Sequence, residues 1–148
     1  PTLHTLHRKE KTSLTYEEKK AWLWRYRDAD KLFRQLTCRL EEARTAARRT
    51  TQNFSPTPSG SGDGQSLARA VEREDDLERQ VAFQLSECSA LFEEIDEALQ
   101  QLPDHRDYTV MKKYYLDGLT WEQVARDMNY SLGMIFIIRR KALEQLQL

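Results

Sequence analysis

The sequence predicts an all-α protein, in which a long antiparallel, coiled-coil-like helical hairpin precedes a C-terminal helix-turn-helix head. Two long segments carry apolar residues at alternating steps of three and four, and a segment rich in Pro, Gly and Ser separates them. The end of the chain has the turn signals of short helices. The predicted division is a flexible tail at 1–14, a hairpin at 15–102 with a flexible loop at 53–65, and a head at 103–148.

The first long segment predicts one continuous helix from about Thr15 to Thr51. Thr15 and Glu18 have the spacing of a capping box at its start. Trp24 lies off the apolar stripe, so we expect it on the surface, where it is a candidate contact for a partner. The stripe has the heptad spacing of a packed helical seam and consists of Trp22, Tyr26, Ala29, Phe33, Leu36, Leu40, Ala43 and Ala47.

The second long segment predicts a helix with a similar but interrupted stripe. The stripe lapses at Glu74 and Glu78, where Leu77 partly substitutes. Ser66 is a candidate N-cap, and Pro103 is expected to end the helix. Two helices with the same apolar period should pack as an antiparallel hairpin. The apolar positions of this stripe are Leu67, Val71, Val81, Leu85, Cys88, Phe92, Ile95, Leu99 and Leu102.

The distribution of charge supports the pairing of these two helices. Residues 16–50 contain ten Lys and Arg against six Asp and Glu, whereas residues 65–102 contain three against ten. A basic helix beside an acidic one is favourable, although each exposed ion pair contributes little. One hairpin leaves much apolar surface uncovered, so we expect a homo-oligomer, most simply a homodimer.

Composition argues against several classes of protein. No apolar run approaches the roughly 20 residues that span a bilayer, and no signal-peptide core is visible, so we expect a cytoplasmic protein. Two cysteines, Cys38 and Cys88, are too few to stabilise a chain of this size by disulfide bonds. Both are expected to be buried, reduced thiols. No histidine has metal-ligand spacing, so we expect neither metal nor other cofactor. The carboxylate runs lack catalytic partners, so we expect no enzyme.

The last third of the chain predicts three short helices. The first ends at Gly118, a residue type that often closes helices in the left-handed conformation. Thr120 and Gln123 have the spacing of a second capping box, and Asn129 tolerates the backbone of a tight turn. Ser131 is the expected N-cap of the last helix. Helix, short turn and helix in this order are typical of a helix-turn-helix motif.

The last helix, predicted over 132–147, has an unusually apolar outer side. With about 100° per residue, its inward positions are Ile135, Ile138, Ala142 and Leu146, with Arg139 near them. Its outward positions are Gly133, Ile137, Arg140 and Glu144. The flanks are occupied by Leu132, Met134, Phe136 and Lys141.

The segment from Tyr108 to Leu146 resembles region four of bacterial sigma factors. The specific parts are "GLTWEQVA" at 118–125 and "RKAL" at 140–143. The segment is also similar to sigma-like regulators of phages and prophages. Among these it most resembles small late-gene activators, and a family of unknown function, that place a helical hairpin ahead of the motif. The resemblance implies sequence-specific binding of duplex DNA in transcription regulation, with RNA polymerase or another host protein as a further candidate partner.

The candidate DNA contacts are those that a helix-turn-helix would present. They are Thr120, Gln123, Ser131, Leu132, Met134, Ile137, Arg140 and Lys141, with Lys112 and Lys113 on the preceding helix. Base edges are read mainly by Arg, Lys, Asn and Gln, and none of these lies between Ser131 and Ile138. Residues 103–148 carry seven Lys and Arg against six Asp and Glu, a weak electrostatic footprint for DNA binding.

Three interpretations therefore stay open. In the first, a homo-oligomer regulates transcription by binding DNA through two weak half-sites. In the second, the protein is an interaction module that inhibits a host factor or docks on polymerase, through its acidic hairpin or an apolar surface. The third has the same apolar surface driving self-association. The candidate residues of that surface are Leu132, Met134, Phe136 and Ile137, with Trp24 as a further contact.

Overall fold

The structure of the protein is a computed structural model that describes residues 13–52 and 63–148. The described part contains five α-helices and no strand, which confirms the predicted all-α class. None of these helices combines the length and apolarity that crossing a bilayer requires. The predicted tail and loop lie mostly outside the described residues. The helices are α1 (Tyr16–Gln52), α2 (Asp63–Gln100), α3 (His105–Tyr115), α4 (Trp121–Met128) and α5 (Leu132–Gln145).

Helices α1 and α2 pack side by side as the predicted antiparallel hairpin. Near its middle, Leu40 and Ala43 of α1 form a buried cluster with Leu77 of α2. Ion pairs join the helices in antiparallel register, and they connect the basic α1 to the acidic α2. The Arg25 guanidinium lies 3.2 Å from the Glu94 carboxylate, and the Arg44 guanidinium lies 3.3 Å from that of Glu78.

Three predictions about α2 were wrong. Helix α2 begins at Asp63, so Ser66 lies inside the helix and the predicted loop at 53–65 is three residues too long. Val71 and Leu85 were placed on the seam but are 47% and 51% exposed. Gln84 occupies the seam instead, and its Nε2 donates a hydrogen bond to the Ala29 carbonyl at 3.0 Å. A stripe of apolar residues cannot reveal a buried amide that is paired with the backbone.

The two cysteines differ in environment. Cys88 is buried in the hairpin as predicted, but Cys38 is exposed, and both are free thiols. The expectation that Cys38 is buried was wrong because Leu36 and Leu40, its neighbours two positions away on either side, face the seam. A residue midway between two seam positions of a helix points away from the seam.

The turns of the head have the predicted geometry. Gly118 has φ +76°, and Asn129 has φ 58°, which places both in the left-handed region. Thr120 caps α4 in a complete capping box with Gln123. Ser131 caps α5, its hydroxyl oxygen accepting a hydrogen bond from the Met134 N–H at 3.1 Å. These local signals fix where α4 and α5 start, and α5 ends two residues before the predicted end.

The base of the hairpin and the head share one hydrophobic core. Tyr108 of α3 also donates a hydrogen bond from its hydroxyl to the Asp96 carboxylate of α2, at 2.6 Å. The head therefore packs on the hairpin and covers part of the apolar surface that the sequence left open. The buried members of this shared core are Leu23, Ile95, Leu99, Leu102, Met111, Tyr115, Leu116, Ala142, Leu143 and Leu146.

A buried lysine provides a polar link across the same junction. The Nζ of Lys19 donates a hydrogen bond to the Leu143 carbonyl at 2.9 Å, and the Lys19 side chain is buried. We expect Lys19→Met to lower the free energy of unfolding by about 1–3 kcal/mol, because the buried carbonyl loses its charged donor. Urea denaturation measures this change.

Lys20→Met is the matched control, because Lys20 lies one position further along α1 and pairs with the exposed Glu17. We expect this control to change the free energy of unfolding by less than about 0.5 kcal/mol. Equal effects of the two substitutions would show that the buried hydrogen bond contributes nothing particular.

Candidate nucleic-acid interface

The outer side of α5 is exposed, as its angular positions predicted. We use "outer row" for Gly133, Ile137, Arg140 and Glu144, all of which are exposed. Ile137 is the most exposed apolar side chain of the head, at 64%, and the flanking Phe136 is 38% exposed. The surface is therefore apolar near the start of α5 and charged further along it.

The opposite side of α5 is fixed by a second core of the head. Ile135 and Ile138 are buried there against Val110 of α3 and Val124 of α4. Ala125 belongs to the same cluster, and its small side chain suits a close approach of α4 and α5. The outer row is thus carried by a helix whose rotation is set by packing.

The polar candidates at the helix starts are engaged in capping. The Thr120 hydroxyl accepts a hydrogen bond from the Gln123 N–H at 3.2 Å, and the Gln123 Oε1 accepts one from the Thr120 N–H at 2.9 Å. Ser131 holds the first turn of α5 in the same way. These three side chains are exposed, but their established hydrogen bonds stabilise the motif itself.

The lysines of α3 have partners within the chain. The Lys113 Nζ lies 3.5 Å from the Asp127 carboxylate of α4. The Lys112 Nζ lies 5.7 Å from the centre of the Tyr108 ring, and a hydrogen bond with the Tyr108 side chain raises the pKa of Lys112. Lys113 therefore links α3 to α4, whereas the Lys112 contact lies within α3.

A buried carboxylate that sequence reasoning missed lies behind the outer side of α5. Asp107 of α3 is fully buried, and its Oδ2 lies 3.4 Å from the Nζ of Lys141. Its Oδ1 lies 3.3 Å from the Arg106 guanidinium. Lys141, a candidate DNA contact, thus neutralises a buried charge. The signal in the sequence was the position of Asp107, three residues before the inward Val110.

Two arginines of the head are left without such partners. Among the described residues, neither Arg126 of α4 nor Arg140 of α5 takes part in an ion pair or a side-chain hydrogen bond with the rest of the chain. Both are exposed. Arg140 was predicted as a contact, whereas Arg126 was not considered, although the predicted start of α4 would have given its position. These two guanidinium groups are free to meet an external anion.

Aromatic rings connect α5 to the hairpin. The Arg139 guanidinium lies 4.9 Å from the centre of the Phe136 ring and 5.4 Å from that of Trp121. Trp121 stacks on Tyr114 with ring centres 3.7 Å apart, and Tyr114 lies 5.9 Å from Trp24 of α1. Trp24 is off the seam as expected and 38% exposed, and it contacts Arg27 of α1 as well as Tyr114 of the head.

No close contact with the described residues requires a glycine at position 133 of the outer row. A Cβ added there would have nothing within 4 Å. We expect Gly133→Ala to raise the free energy of unfolding by about 0.5–1 kcal/mol, because alanine favours helix and glycine does not. Thermal unfolding measures this change.

Gly118→Ala is the control, and we expect it to change the free energy of unfolding in the opposite direction. Its added Cβ would also meet open space, but its φ of +76° is unfavourable for any side chain. We expect Gly118→Ala to lower the free energy of unfolding by about 1 kcal/mol. If both substitutions destabilise, then Gly133 is required by the fold itself.

Comparison with known families finds a similarity for the head. Residues 98–148, about one third of the chain, match the model of the family sigma-70, region 4. The matched segment starts in the last turns of α2 and so includes Leu99 and Leu102 of the shared core. The C-terminal part is therefore similar to a helix-turn-helix domain that binds DNA in transcription proteins. No curated protein and no solved structure shows significant similarity to the chain.

Proposed function

We propose that the protein is a phage-type transcription regulator of the bacterial cytoplasm, which inserts the outer row of α5 into the major groove of duplex DNA. The observation that carries this proposal is the exposure of Ile137 and Arg140 on the second helix of a motif that matches a DNA-binding family. In a helix-turn-helix, this second helix is the one that contacts base edges.

The dimensions of the head support this proposal. Helix α5 has 14 residues and is therefore ~21 Å long, and the major groove is about 12 Å wide and accepts one helix. Arg140 lies about one turn beyond Ile137, where it can meet a phosphate while the start of α5 faces the bases. Arg126 on α4 is a second exposed cation of the head. Few free cations imply weak binding by one head.

We further propose that two chains associate through their hairpins, so that two weakly binding heads act together. A groove runs along one side of the hairpin between Tyr26 and Phe33 of α1 and Leu85 and Phe92 of α2. Leu85 is half-exposed in this groove, which apolar and charged side chains line together. A second copy would cover it, and a two-fold axis would place both heads on one duplex.

The contribution of charge to DNA binding is tested by Arg140→Ala. Each phosphate contact steepens the dependence of log affinity on log salt concentration by about 0.9 for duplex DNA. We expect the slope of the variant to be shallower by about this amount for each head bound, and the affinity to fall similarly on all sequences. Fluorescence anisotropy of a labelled duplex at several salt concentrations measures both quantities.

Arg79→Ala is the matched control for that experiment. Arg79 is an exposed arginine on the hairpin that pairs with Asp76, far along the chain from the head. We expect its affinity and salt slope to equal those of the unmodified chain. A loss shared by both variants would mean that net charge matters and that Arg140 has no specific contact.

Protein docking is a second candidate function, favoured by the exposed pair of Phe136 and Ile137 on one side of α5. Contiguous exposed apolar residues often mark protein interfaces. Under this alternative, α5 would bind a host protein such as RNA polymerase. Capture from nuclease-treated bacterial lysate, with identification of bound proteins by mass spectrometry, separates the two functions. Protein docking should persist after nuclease treatment and at high salt. Capture that depends on DNA should be lost under both conditions.

A further inference from the structure

We infer that α5 recognises DNA through the 5-methyl groups of thymine, with Ile137 as the principal contact and Leu132 and Met134 beside it. This inference rests on the proposed function, because it names the chemical feature of DNA that the same surface selects. It predicts a binding site with thymine at defined positions, and a specificity that depends on apolar contact.

The side chains near the start of α5 leave little choice of chemistry. Hydrogen-bonded readout of base edges uses polar side chains, chiefly Arg, Lys, Asn and Gln, and residues 132–138 contain no polar side chain. The one apolar group that the major groove presents is the methyl group of thymine. An exposed aliphatic side chain at the base-contacting end of the helix is therefore matched to thymine and to no other base.

Ile137, the apolar contact, lies in the middle of the outer row of α5. Ile137 is 64% exposed and lies one turn beyond Gly133 and about one turn before Arg140. Gly133 has open space where a side chain would stand, so the backbone of α5 can approach the base edges closely at this turn. Arg140 then lies further out, where a phosphate is the natural partner of a guanidinium group.

The neighbouring Phe136 is less suited to be the reader. Its ring lies 4.9 Å from the Arg139 guanidinium and 6.4 Å from the ring of Trp121, so it is part of the aromatic cluster inside the head. Leu132 and Met134 are half-buried, and Met134 packs on the second core. Ile137 belongs to neither hydrophobic core of the head and is available to a partner.

Duplex DNA is a better partner for this surface than another apolar protein face. The guanidinium group of Arg140 is exposed beside Phe136 and Ile137, where an anionic phosphate would neutralise it. The matched family is one of DNA-binding domains. An exposed apolar side chain with a free cation one turn away suits a helix in the major groove, where base edges and phosphates lie close together.

Replacement of thymine by uracil tests the inference, because it removes the methyl group and leaves base pairing intact. The 148-residue chain first selects duplexes from a random-sequence pool, and each enriched thymine is then replaced singly by deoxyuridine. We expect a loss of about fourfold in affinity for each methyl group in contact, as for burial of one methylene group. Fluorescence anisotropy measures the affinities.

The same duplexes titrated with Ile137→Ala identify the residue responsible. We expect this variant to bind the thymine duplex more weakly and to bind the uracil duplex equally well, so that discrimination at that position disappears. Leu32→Ala, which shortens an exposed leucine of the hairpin, should discriminate as the unmodified chain does. Gly133→Leu should fold but lose specific binding, because its side chain would fill the space between backbone and bases.

The outcomes separate the inference from the proposed function. Enrichment of a duplex whose affinity is insensitive to every uracil substitution would overturn methyl recognition and leave DNA binding intact. Equal discrimination by Ile137→Ala and the unmodified chain would overturn the assignment to Ile137. Failure to enrich any duplex would overturn the proposed function and the inference together.

Discussion

Ile137→Asp is expected to lower the affinity for a selected duplex by about a hundredfold, because a carboxylate would replace the apolar contact and lie unpaired beside the anionic DNA. The substitution should leave the midpoint of thermal unfolding nearly unchanged, because 64% of the Ile137 side chain is exposed. Anisotropy titration and thermal unfolding of the same preparation give both results.

Leu32→Asp is the matched control, since it makes the same chemical change at an exposed leucine of the hairpin. We expect this variant to bind the duplex as tightly as the unmodified chain. Ile137→Asn adds a neutral comparison, and its affinity should fall less than that of Ile137→Asp. Undiminished binding by Ile137→Asp would show that the outer row of α5 does not face DNA.

The second large effect concerns the core that joins hairpin and head. Leu23 of α1 is fully buried in the cluster that contains Leu143 and Leu146 at the end of the chain. We expect Leu23→Ala to lower the free energy of unfolding by about 2–5 kcal/mol, the usual range for truncating a buried leucine. Hairpin and head should unfold in one transition, because they share this core.

Urea denaturation followed by circular dichroism and by tryptophan fluorescence tests this prediction. Trp121 lies in the head, and the other two tryptophans, Trp22 and Trp24, lie on α1 where it packs against the head. Fluorescence therefore reports on the head and its junction, whereas most helical signal comes from the whole of α1 and α2. The two probes should give the same midpoint in the unmodified chain and in Leu23→Ala. Separate midpoints would mean that the head folds independently. Leu32→Ala, an exposed leucine of the same helix, should change stability by less than about 0.5 kcal/mol.

The helices and turns could be predicted from sequence because their signals are local. A heptad stripe requires only the spacing of residues along one helix. The capping box of Thr120 and Gln123 and the left-handed backbone of Asn129 depend on residues within one turn. The inward positions of α5 followed from angle alone, and Ile135 and Ile138 are indeed buried. Local rules therefore predicted the position of the helix-turn-helix and the exposure of its outer row.

The polar contacts could not be predicted because they join residues that are distant in sequence. The Lys19 hydrogen bond to the Leu143 carbonyl spans 124 residues. Gln84 was not predicted as a seam residue, because the sequence does not show that its amide donates a hydrogen bond to a carbonyl of the opposite helix. Asp107 was not considered because nothing near it in sequence reveals that Lys141 neutralises it. In each case burial of a polar group depends on a partner that only the fold supplies.

These contacts also change the expected roles of the basic residues. Lys141 was a candidate for DNA contact, but its substitution would leave the fully buried Asp107 with one cation fewer. Loss of DNA binding by Lys141→Ala would therefore report on the fold as well as on the interface. Arg140, which has no such partner among the described residues, is the better probe of phosphate contact.

The proposed DNA-binding function is tested most directly by selecting duplexes from a random-sequence pool with the 148-residue chain, and in parallel with Ile137→Asp and Leu32→Asp. We predict that the chain and Leu32→Asp enrich one common sequence that contains thymine, that its affinity falls steeply with salt, and that Ile137→Asp enriches nothing. Recovery of an unenriched pool by all three proteins, or of the same sequence by Ile137→Asp, would contradict a DNA-reading role for α5.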